Sequence, residues 1–163
     1  RAVGRTTDPT PPTACCNAPE IVVEPSDTIR SWIAGISQYA YSEYLNRAPG
    51  PTTDIVFNDF AIRSYKPNEG FFVEHTDQHA GGSINRIFAI IMYLNTVDEG
   101  GETEFPQHNI KIKPEKGKVL LFPGNYLFPH KGNMPISNSK YIATSWVEFK
   151  EMPAKLMRLH GKW

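Results

Sequence analysis

The sequence has few of the features that mark disulfide-rich, membrane-spanning or strongly charged proteins. Its two cysteines, Cys15 and Cys16, are adjacent, and neighbouring cysteines seldom form a disulfide because the bridge strains the peptide between them. The longest apolar run, Ile87–Leu94, is far shorter than the roughly 20 residues that a spanning helix needs. Lys and Arg total 17, as do Asp and Glu, which disfavours general binding to nucleic acid or to an anionic membrane. With no export segment at its start, the sequence predicts a soluble, cytoplasmic protein without a disulfide framework.

The length and composition predict a single, mostly β domain. A chain of 163 residues corresponds to about one domain, and its 14 prolines and 12 glycines indicate many turns rather than a helical bundle. Residues 1–19 are rich in proline and have no hydrophobic period, so we expect a flexible arm there. The single domain is expected over residues 20–163.

One long helix and a series of strands are expected inside that domain. Apolar residues at three- and four-residue steps predict an amphipathic helix over about residues 27–47, capped by Ser26 or Asp27 and ended by Ala48-Pro49-Gly50-Pro51. Strands separated by turn sequences then predict a sandwich or jelly roll over about residues 54–149, followed by a tail, residues 150–163, with a short helix. The expected apolar helix face consists of Ile29, Trp32, Ile33, Ile36, Tyr39, Ala40 and Tyr44. The expected strands are Ile21–Val23, Asp54–Tyr65, Phe71–Thr76, Arg86–Leu94, Glu102–Phe105, Ile110–Ile112, Lys118–Phe122 and Tyr141–Phe149.

His75-Thr76-Asp77 places an imidazole and a carboxylate two residues apart. On an extended strand both side chains leave the same face, with Cα atoms roughly 6.6 Å apart, so the pair can chelate one ion. Taken alone, the same pair also fits an ordinary surface strand. His130 is the candidate third ligand, because two histidines and one carboxylate form the metal site of non-haem Fe(II) oxygenases, which leaves positions open for reactants.

The other histidines are weaker candidates. His79 alternates with His75 and Asp77, but on an extended strand it would lie about 13 Å from His75, and Gly81-Gly82 ends the strand there. His108 and His160 have no partner at ligand spacing, so we expect them to be exposed to solvent.

Lys140 begins a strand with an unusual face. It begins the run Tyr141–Phe149, and one side of this strand is shared by Lys140, Ile142, Thr144 and Trp146. This pattern suits an apolar interior with one positive charge placed to meet a ligand carboxylate. As an isolated residue, Lys140 also fits a polar strand start after a turn.

Several ordered stretches together resemble the prolyl 4-hydroxylase-like branch of the Fe(II)- and 2-oxoglutarate-dependent dioxygenases. The resemblance covers roughly residues 54–149. Its pieces are Arg63–Gly70 leading into Phe71–Asp77, Tyr93-Leu94-Asn95, Gly100–Pro106, Gly117–Phe122, and His130 followed ten residues later by Lys140.

The resemblance implies a role for each matching residue. His75, Asp77 and His130 would bind Fe(II), and Lys140 would pair with the distal carboxylate of 2-oxoglutarate. The remaining implied residues are Tyr93 as a second partner of that carboxylate, Tyr65, Thr144 and Trp146 as walls of the pocket, and Arg86 near the substrate cleft. Without the resemblance, Tyr65 and Tyr93 fit ordinary core packing equally well.

The resemblance also implies a fold and a reaction. The fold is a double-stranded β-helix, or jelly roll, with an N-terminal supporting helix. The reaction is hydroxylation of a C–H bond with Fe(II), O2, 2-oxoglutarate and ascorbate, releasing succinate and CO2, and a prolyl residue in a peptide or protein is the leading substrate. The alternatives are the same chemistry on a free amino acid, another small molecule or a nucleotide, and a non-catalytic jelly-roll binding module; the oligomeric state is open.

Overall fold

The computed structural model describes residues 26–79 and 83–150, which form one long helix, eight strands and a short 3-10 helix. The predicted arm, the strand Ile21–Val23, the Gly81-Gly82 turn, His160 and the tail helix lie outside these residues. In chain order the elements are α1 (Asp27–Leu45), β1 (Ile55–Tyr65), β2 (Phe72–His75), β3 (Arg86–Tyr93), β4 (Thr103–Phe105), the 3-10 helix Pro106–His108, β5 (Ile110–Ile112), β6 (Val119–Pro123), β7 (His130–Gly132) and β8 (Lys140–Phe149).

The strands form two four-stranded antiparallel sheets. The major sheet has the order β1-β8-β3-β6 and the minor sheet the order β2-β7-β4-β5. Consecutive strands thus alternate between sheets at several points, as in a jelly roll. The predicted mostly β fold with one N-terminal supporting helix is confirmed.

The helix α1 packs on the outer face of the major sheet. Ile33 and Tyr41 are buried there, and the Tyr41 ring lies 5.5 Å from that of Phe88. Ser26 occupies the N-cap position, although its side chain makes no capping hydrogen bond. The helix ends at Leu45, just before the proline-containing segment predicted to stop it.

Part of the predicted apolar helix face is wrong. Trp32 and Tyr39 are 71% and 68% exposed, and Ile29 and Ile36 are exposed as well. The helix buries a narrower stripe than its apolar residues suggest, because it rests on one sheet and not in a closed bundle. Ser37, which no apolar period indicates, is buried and donates its hydroxyl to the carbonyl of Ile33.

The predicted strands after α1 that fall within the described residues are all present, and one further strand was missed. The missed strand is β7, which has only three residues and contains a lysine and a glycine, so its sequence carries no alternating pattern. It pairs with β2 and β4 in the centre of the minor sheet. The missed strand therefore positions His130.

Apolar side chains form one cluster on each face of the major sheet. The cluster between the sheet and α1 contains Phe88, Ile90 and Val147. The cluster between the two sheets contains Tyr65, Phe105 and Phe122, and it surrounds the cavity described below. No helix in the described part of the chain has the length and apolar character to cross a membrane.

Candidate metal centre and active site

Two neighbouring strands of the minor sheet bring His75 and His130 together. His75 ends β2, His130 begins β7, and the two are direct partners in the antiparallel register. Their ring centroids lie 4.3 Å apart. The pairing of β2 with β7 therefore supplies two imidazoles side by side from distant parts of the sequence.

Asp77 joins these histidines from the bend that follows β2. Its side chain is buried, and Oδ2 lies 3.5 Å from Nε2 of His130. The turn after β6 lies against this bend, because the carbonyl of Gly124 accepts a hydrogen bond from the backbone N–H of Gln78. A Cβ on Gly124 would lie 3.3 Å from that of Asp77, so a small residue here lets the two segments approach closely.

Backbone carbonyls orient both imidazoles. His75 donates its Nδ1–H to the carbonyl of Val73 at 2.9 Å, and His130 donates its Nδ1–H to that of Phe128 at 3.2 Å. A bond from Nδ1–H leaves Nε2 with its lone pair as the metal-binding atom. One ligand atom from each of His75, Asp77 and His130 lies within 4.8 Å of the others.

The surroundings keep these imidazoles neutral, which is the protonation state that binds metal. Burial lowers the pKa of His75, and burial together with the adjacent His75 ring lowers the pKa of His130 to about 4. Asp77 acts against both shifts without reversing them. Phe105 and Phe122 pack around the His130 ring and exclude water from it.

The polar atoms of this cluster fit a divalent metal ion. Asp77 Oδ2 is buried and, within residues 26–79 and 83–150, accepts no hydrogen bond. A buried carboxylate oxygen without a donor is costly, and a cation bound to it removes that cost. Two imidazole nitrogens and one carboxylate oxygen are the donor set that Fe(II) takes in non-haem oxygenases.

A cavity of about 430 Å³ adjoins the three candidate ligands. Four of its lining residues are cations, whereas Asp77 and no other lining residue within the described ranges is a carboxylate, so the cavity favours an anionic ligand. The four cations are Arg63, Arg86, Lys131 and Lys140. The predicted pocket residues Tyr65, Thr144 and Trp146 also line it.

Lys140 is the most deeply buried of these cations, with 3% of its surface exposed. Its Nζ lies 5.5 Å from the ring centroid of Tyr65 and 5.7 Å from that of Tyr93. Burial lowers the pKa of Lys140 to about 8, and the Glu102 carboxylate acts in the opposite direction. A dicarboxylate that reaches Lys140 would stabilise the ammonium group in place of the water that burial removes.

Tyr93 is buried beside the cavity and is not among the residues that line it. Its hydroxyl forms a 2.7 Å hydrogen bond with the hydroxyl of Thr103, which does line the cavity. Burial raises the pKa of Tyr93 to about 12, so the phenol remains protonated and able to donate. Its contact with a carboxylate stays a prediction.

Arg86 and Trp146 interact with each other in the wall of the cavity. The Arg86 guanidinium lies 4.1 Å above the Trp146 ring and donates its Nε–H to Oε1 of Glu148 at 3.2 Å. Trp146 donates its indole N–H to Oδ1 of Asp77 at 2.8 Å. Both residues line the cavity, and Trp146 also contacts a candidate metal ligand.

His79 and His108, the other histidines that the structure describes, are not part of the candidate centre. His79 lines the cavity, but it is not one of the three residues whose ligand atoms converge. His108 is exposed, as expected, and its Nε2 hydrogen-bonds the carbonyl of Leu127.

Sequence reasoning missed Arg63, Thr103, Lys131 and Glu148 near the site. Thr103 could have been found, because it is the threonine of the Gly100–Pro106 stretch that carries part of the resemblance. Arg63 begins the Arg63–Gly70 stretch of the resemblance, although that stretch gave it no role. Lys131 and Glu148 have no local signal, since charged residues in strands more often face solvent. Their placement follows from strand pairing alone.

Comparisons with known proteins show the family and the fold of the chain. A model of the 2OG-Fe(II) oxygenase superfamily matches residues 60–148. Probable prolyl 4-hydroxylases 10 and 3 of Arabidopsis thaliana are 30% and 31% identical to the chain, over 55% and 56% of its length. These matches cover 39% and 40% of the two plant proteins, so the chain spans about two fifths of the length of these curated relatives.

Solved structures show the same fold. A viral collagen prolyl hydroxylase from Paramecium bursaria Chlorella virus-1, in a complex with 2OG, superposes with a TM-score of 0.64 at 26% identity, covering 83% of this chain and 81% of that one. A Pseudomonas putida prolyl-4-hydroxylase superposes with a TM-score of 0.62 at 18% identity, covering 87% and 77%, a likeness in fold alone.

Proposed function

The chain belongs to the 2OG-Fe(II) oxygenase superfamily, and on that premise we propose that it hydroxylates a C–H bond of a prolyl residue in a peptide or protein. His75, Asp77 and His130 hold Fe(II), and Lys140 binds the distal carboxylate of 2-oxoglutarate. The convergence of three ligand atoms within 4.8 Å, beside a cavity that contains a buried lysine, carries this proposal.

The bound metal supplies the oxidising chemistry, in which O2 and 2-oxoglutarate are consumed, succinate and CO2 are released, and ascorbate serves as a further cofactor. The protein's own residues bind and orient the reactants. The two Nδ1–H bonds fix the imidazoles as Nε2 ligands, and Asp77 adds one charge to the same ion. Three protein ligands leave coordination positions open for reactants.

The side of the cavity near Lys140 suits the cosubstrate. Lys140 provides one buried ammonium group beside the rings of Tyr65 and Tyr93, where an ion pair is screened less than at the surface. We propose that the hydroxyls of Tyr93 and Thr103 present a donor to the same carboxylate. The apolar side chains around the site, such as Phe122 and Ile142, exclude water from the reacting groups.

The prolyl substrate is supported by the similarity to the prolyl 4-hydroxylases named above. A formal net charge of zero gives no broad attraction to nucleic acid, which favours a peptide over a polynucleotide. The same chemistry on a free amino acid or another small molecule is the alternative that the following experiment must separate.

Succinate release from 2-oxoglutarate, measured with Fe(II) and ascorbate, tests the proposal. We expect turnover to rise when proline-rich peptides are added, and mass spectrometry to locate one added oxygen on a prolyl residue. Stimulation by free amino acids or other small molecules, with no effect of peptides, would favour the alternative substrate class. No turnover from a protein shown to contain iron would instead indicate a binding module.

The ligand assignment has its own control. His130→Ala should abolish turnover because it removes a metal ligand, whereas His79→Ala should keep most of it. An equal loss in both variants would show that the choice between these histidines is wrong.

A further inference from the structure

A row of contacts runs from the end of β8 to the carboxylate of Asp77. Asn58 donates its side-chain N–H to Oε2 of Glu148 at 3.2 Å, and Arg86 donates its Nε–H to Oε1 of Glu148, also at 3.2 Å. The Arg86 guanidinium lies 4.1 Å above the ring of Trp146. The indole N–H of Trp146 then reaches Oδ1 of Asp77 at 2.8 Å.

The strand pairing explains why these side chains meet. Arg86 and Glu148 are direct partners across β3 and β8, and Asn58 of β1 lies beside Trp146 on the other side of β8. A register shift between Arg86 and Phe88 separates the arginine from the regular part of β3. Glu148 is therefore held between donors from two neighbouring strands.

The contacts among Arg86, Glu148, Trp146 and Asp77 are shielded from water, whereas the one from Asn58 is exposed. The side chains of Arg86 and Glu148 are 19% and 16% exposed, and Trp146 and Asp77 are buried. A cation over an indole ring is worth about 0.5 kcal/mol when exposed and about 2 kcal/mol or more when desolvated. The terminal torsion of a tryptophan side chain is broad, so a charge fixed over its face selects one orientation.

The two oxygens of Asp77 consequently have different surroundings. Oδ1 accepts the indole N–H, whereas Oδ2 is buried, accepts no hydrogen bond from any described residue, and lies 3.5 Å from Nε2 of His130. An aspartate with both oxygens available can bind a metal through either one or both. The indole bond leaves Oδ2 as the available ligand atom.

We propose that Glu148, Arg86 and Trp146 are positioning residues that make Asp77 a one-oxygen metal ligand. This inference rests on the proposed metal centre and assigns Arg86 a role besides any contact with substrate. Two imidazoles and a single carboxylate oxygen would fill three positions of a six-coordinate ion, whereas a two-oxygen carboxylate would fill one more. The number of open positions decides whether both the cosubstrate and O2 can be accommodated.

Metal binding to the protein without cosubstrate tests the inference directly. Co(II) is used because it replaces Fe(II) without being oxidised, and its visible absorption reports the number and type of ligands. Trp146→Phe keeps a ring but removes the N–H, and should weaken Co(II) binding about 10- to 100-fold, as the loss of contacts to metal ligands generally does. It should also shift the absorption bands, because Asp77 gains a second free oxygen.

Glu148→Gln is the second variant, and it leaves the core intact. It should weaken Co(II) binding by about 10-fold or less and shift the bands in the same direction as Trp146→Phe. Glu43→Gln on α1 is the matched control, since Glu43 also pairs with an arginine, Arg47, at 3.3 Å, but on the outer surface. This control should leave both the affinity and the spectrum unchanged.

The double variant separates positioning from general damage. If Glu148 acts through Trp146, then Glu148→Gln should have almost no further effect on Co(II) affinity in a Trp146→Phe background. Additive losses of Co(II) affinity in the double variant would overturn the inference. Unshifted absorption bands would do so too, if the Trp146→Phe protein unfolds cooperatively and still binds Co(II). Either outcome would leave the metal centre in place. A wild-type protein that binds no Co(II) would overturn the metal centre as well.

Discussion

At the scale of single residues, burial determines which ionisable groups are ready to act. The imidazoles of His75 and His130 lose affinity for protons because the charged form is poorly solvated there, which keeps them available as ligands at neutral pH. The same effect lowers the pKa of Lys140 to about 8. Because this pKa is still above neutral pH, most of the amine stays protonated there. Lys140 is thus a buried cation that a bound dianion would stabilise.

The affinity for 2-oxoglutarate should therefore fall as the pH rises above about 8. The folded protein without ligand holds the Lys140 proton less tightly than the unfolded chain does, whose lysine has the ordinary pKa of 10.5. Between pH 8 and pH 10.5 the unfolded chain binds more protons than the folded protein does. Burial of the charged Lys140 therefore lowers the free energy of unfolding below pH 8, and this loss becomes smaller as the pH rises from 8 to 10.5. Ligand binding has the opposite dependence, because it requires the protonated amine. Calorimetric titration with 2-oxoglutarate from pH 7 to 9.5 measures the effect, and an affinity that does not change over this range would contradict it.

Lys140→Met should weaken 2-oxoglutarate binding on the order of 10- to 100-fold, because this is the loss of affinity that corresponds to the free energy of a charge-assisted hydrogen bond. It should also remove the decrease in affinity above pH 8. Lys118→Met is the control, because Lys118 pairs with Glu115 on the surface. Loss of affinity in both variants would point to general electrostatics instead of one anchoring group.

At the scale of elements, short turns set where the strands that carry the site begin. Gly100 has a left-handed backbone with φ +73° and bridges to Pro135, while the N–H of Gly101 bonds the carbonyl of Met134. These contacts tie the turn before β4 to the loop before β8. Thr103 and Lys140 follow directly, so the turn helps to position both.

Gly100→Ala should lower the free energy of unfolding by about 2–4 kcal/mol, since a left-handed L-residue costs about 1–2 kcal/mol and the added Cβ collides with the Met134 carbonyl. Gly35→Ala is the matched substitution inside α1, where a Cβ meets no atom within 4 Å. It should raise stability by about 0.5–1 kcal/mol, because alanine favours the helix. Denaturant unfolding of both variants checks the signs, and equal effects would contradict the role given to the turn.

At the scale of the whole molecule, the major sheet separates two apolar layers with different tasks. The layer facing α1 contains Phe88, which packs on Tyr41 and Tyr44. The layer facing the minor sheet contains Phe105 and Phe122, which pack on His130. Stability and site geometry should therefore respond to different mutations.

Phe88→Ala should lower the free energy of unfolding by about 3–5 kcal/mol, as large truncations in a core do. The folded variant should bind Co(II) with an affinity within about threefold of that of the wild-type protein. Phe105→Ala should lower both quantities, because the His130 ring loses a neighbour. Chemical denaturation and Co(II) titration measure the two effects separately. A large loss of metal affinity in Phe88→Ala would show that the two layers are coupled.

Local pattern by itself determined much of this protein. Alternation along β8 placed Lys140, Ile142, Thr144 and Trp146 on one face, and all four line the cavity. The spacing of His75 and Asp77 and the turn sequences after α1 were readable for the same reason, since each depends on residues close together in the chain. Only the tertiary structure decided the strand β7 and the exposure of Trp32. The same is true of the contact from Trp146 to Asp77, 69 positions apart, and of the contact from Arg86 to Glu148, 62 positions apart. Such contacts depend on which strands pair and in what register, and a local sequence pattern does not specify the pairing of distant strands.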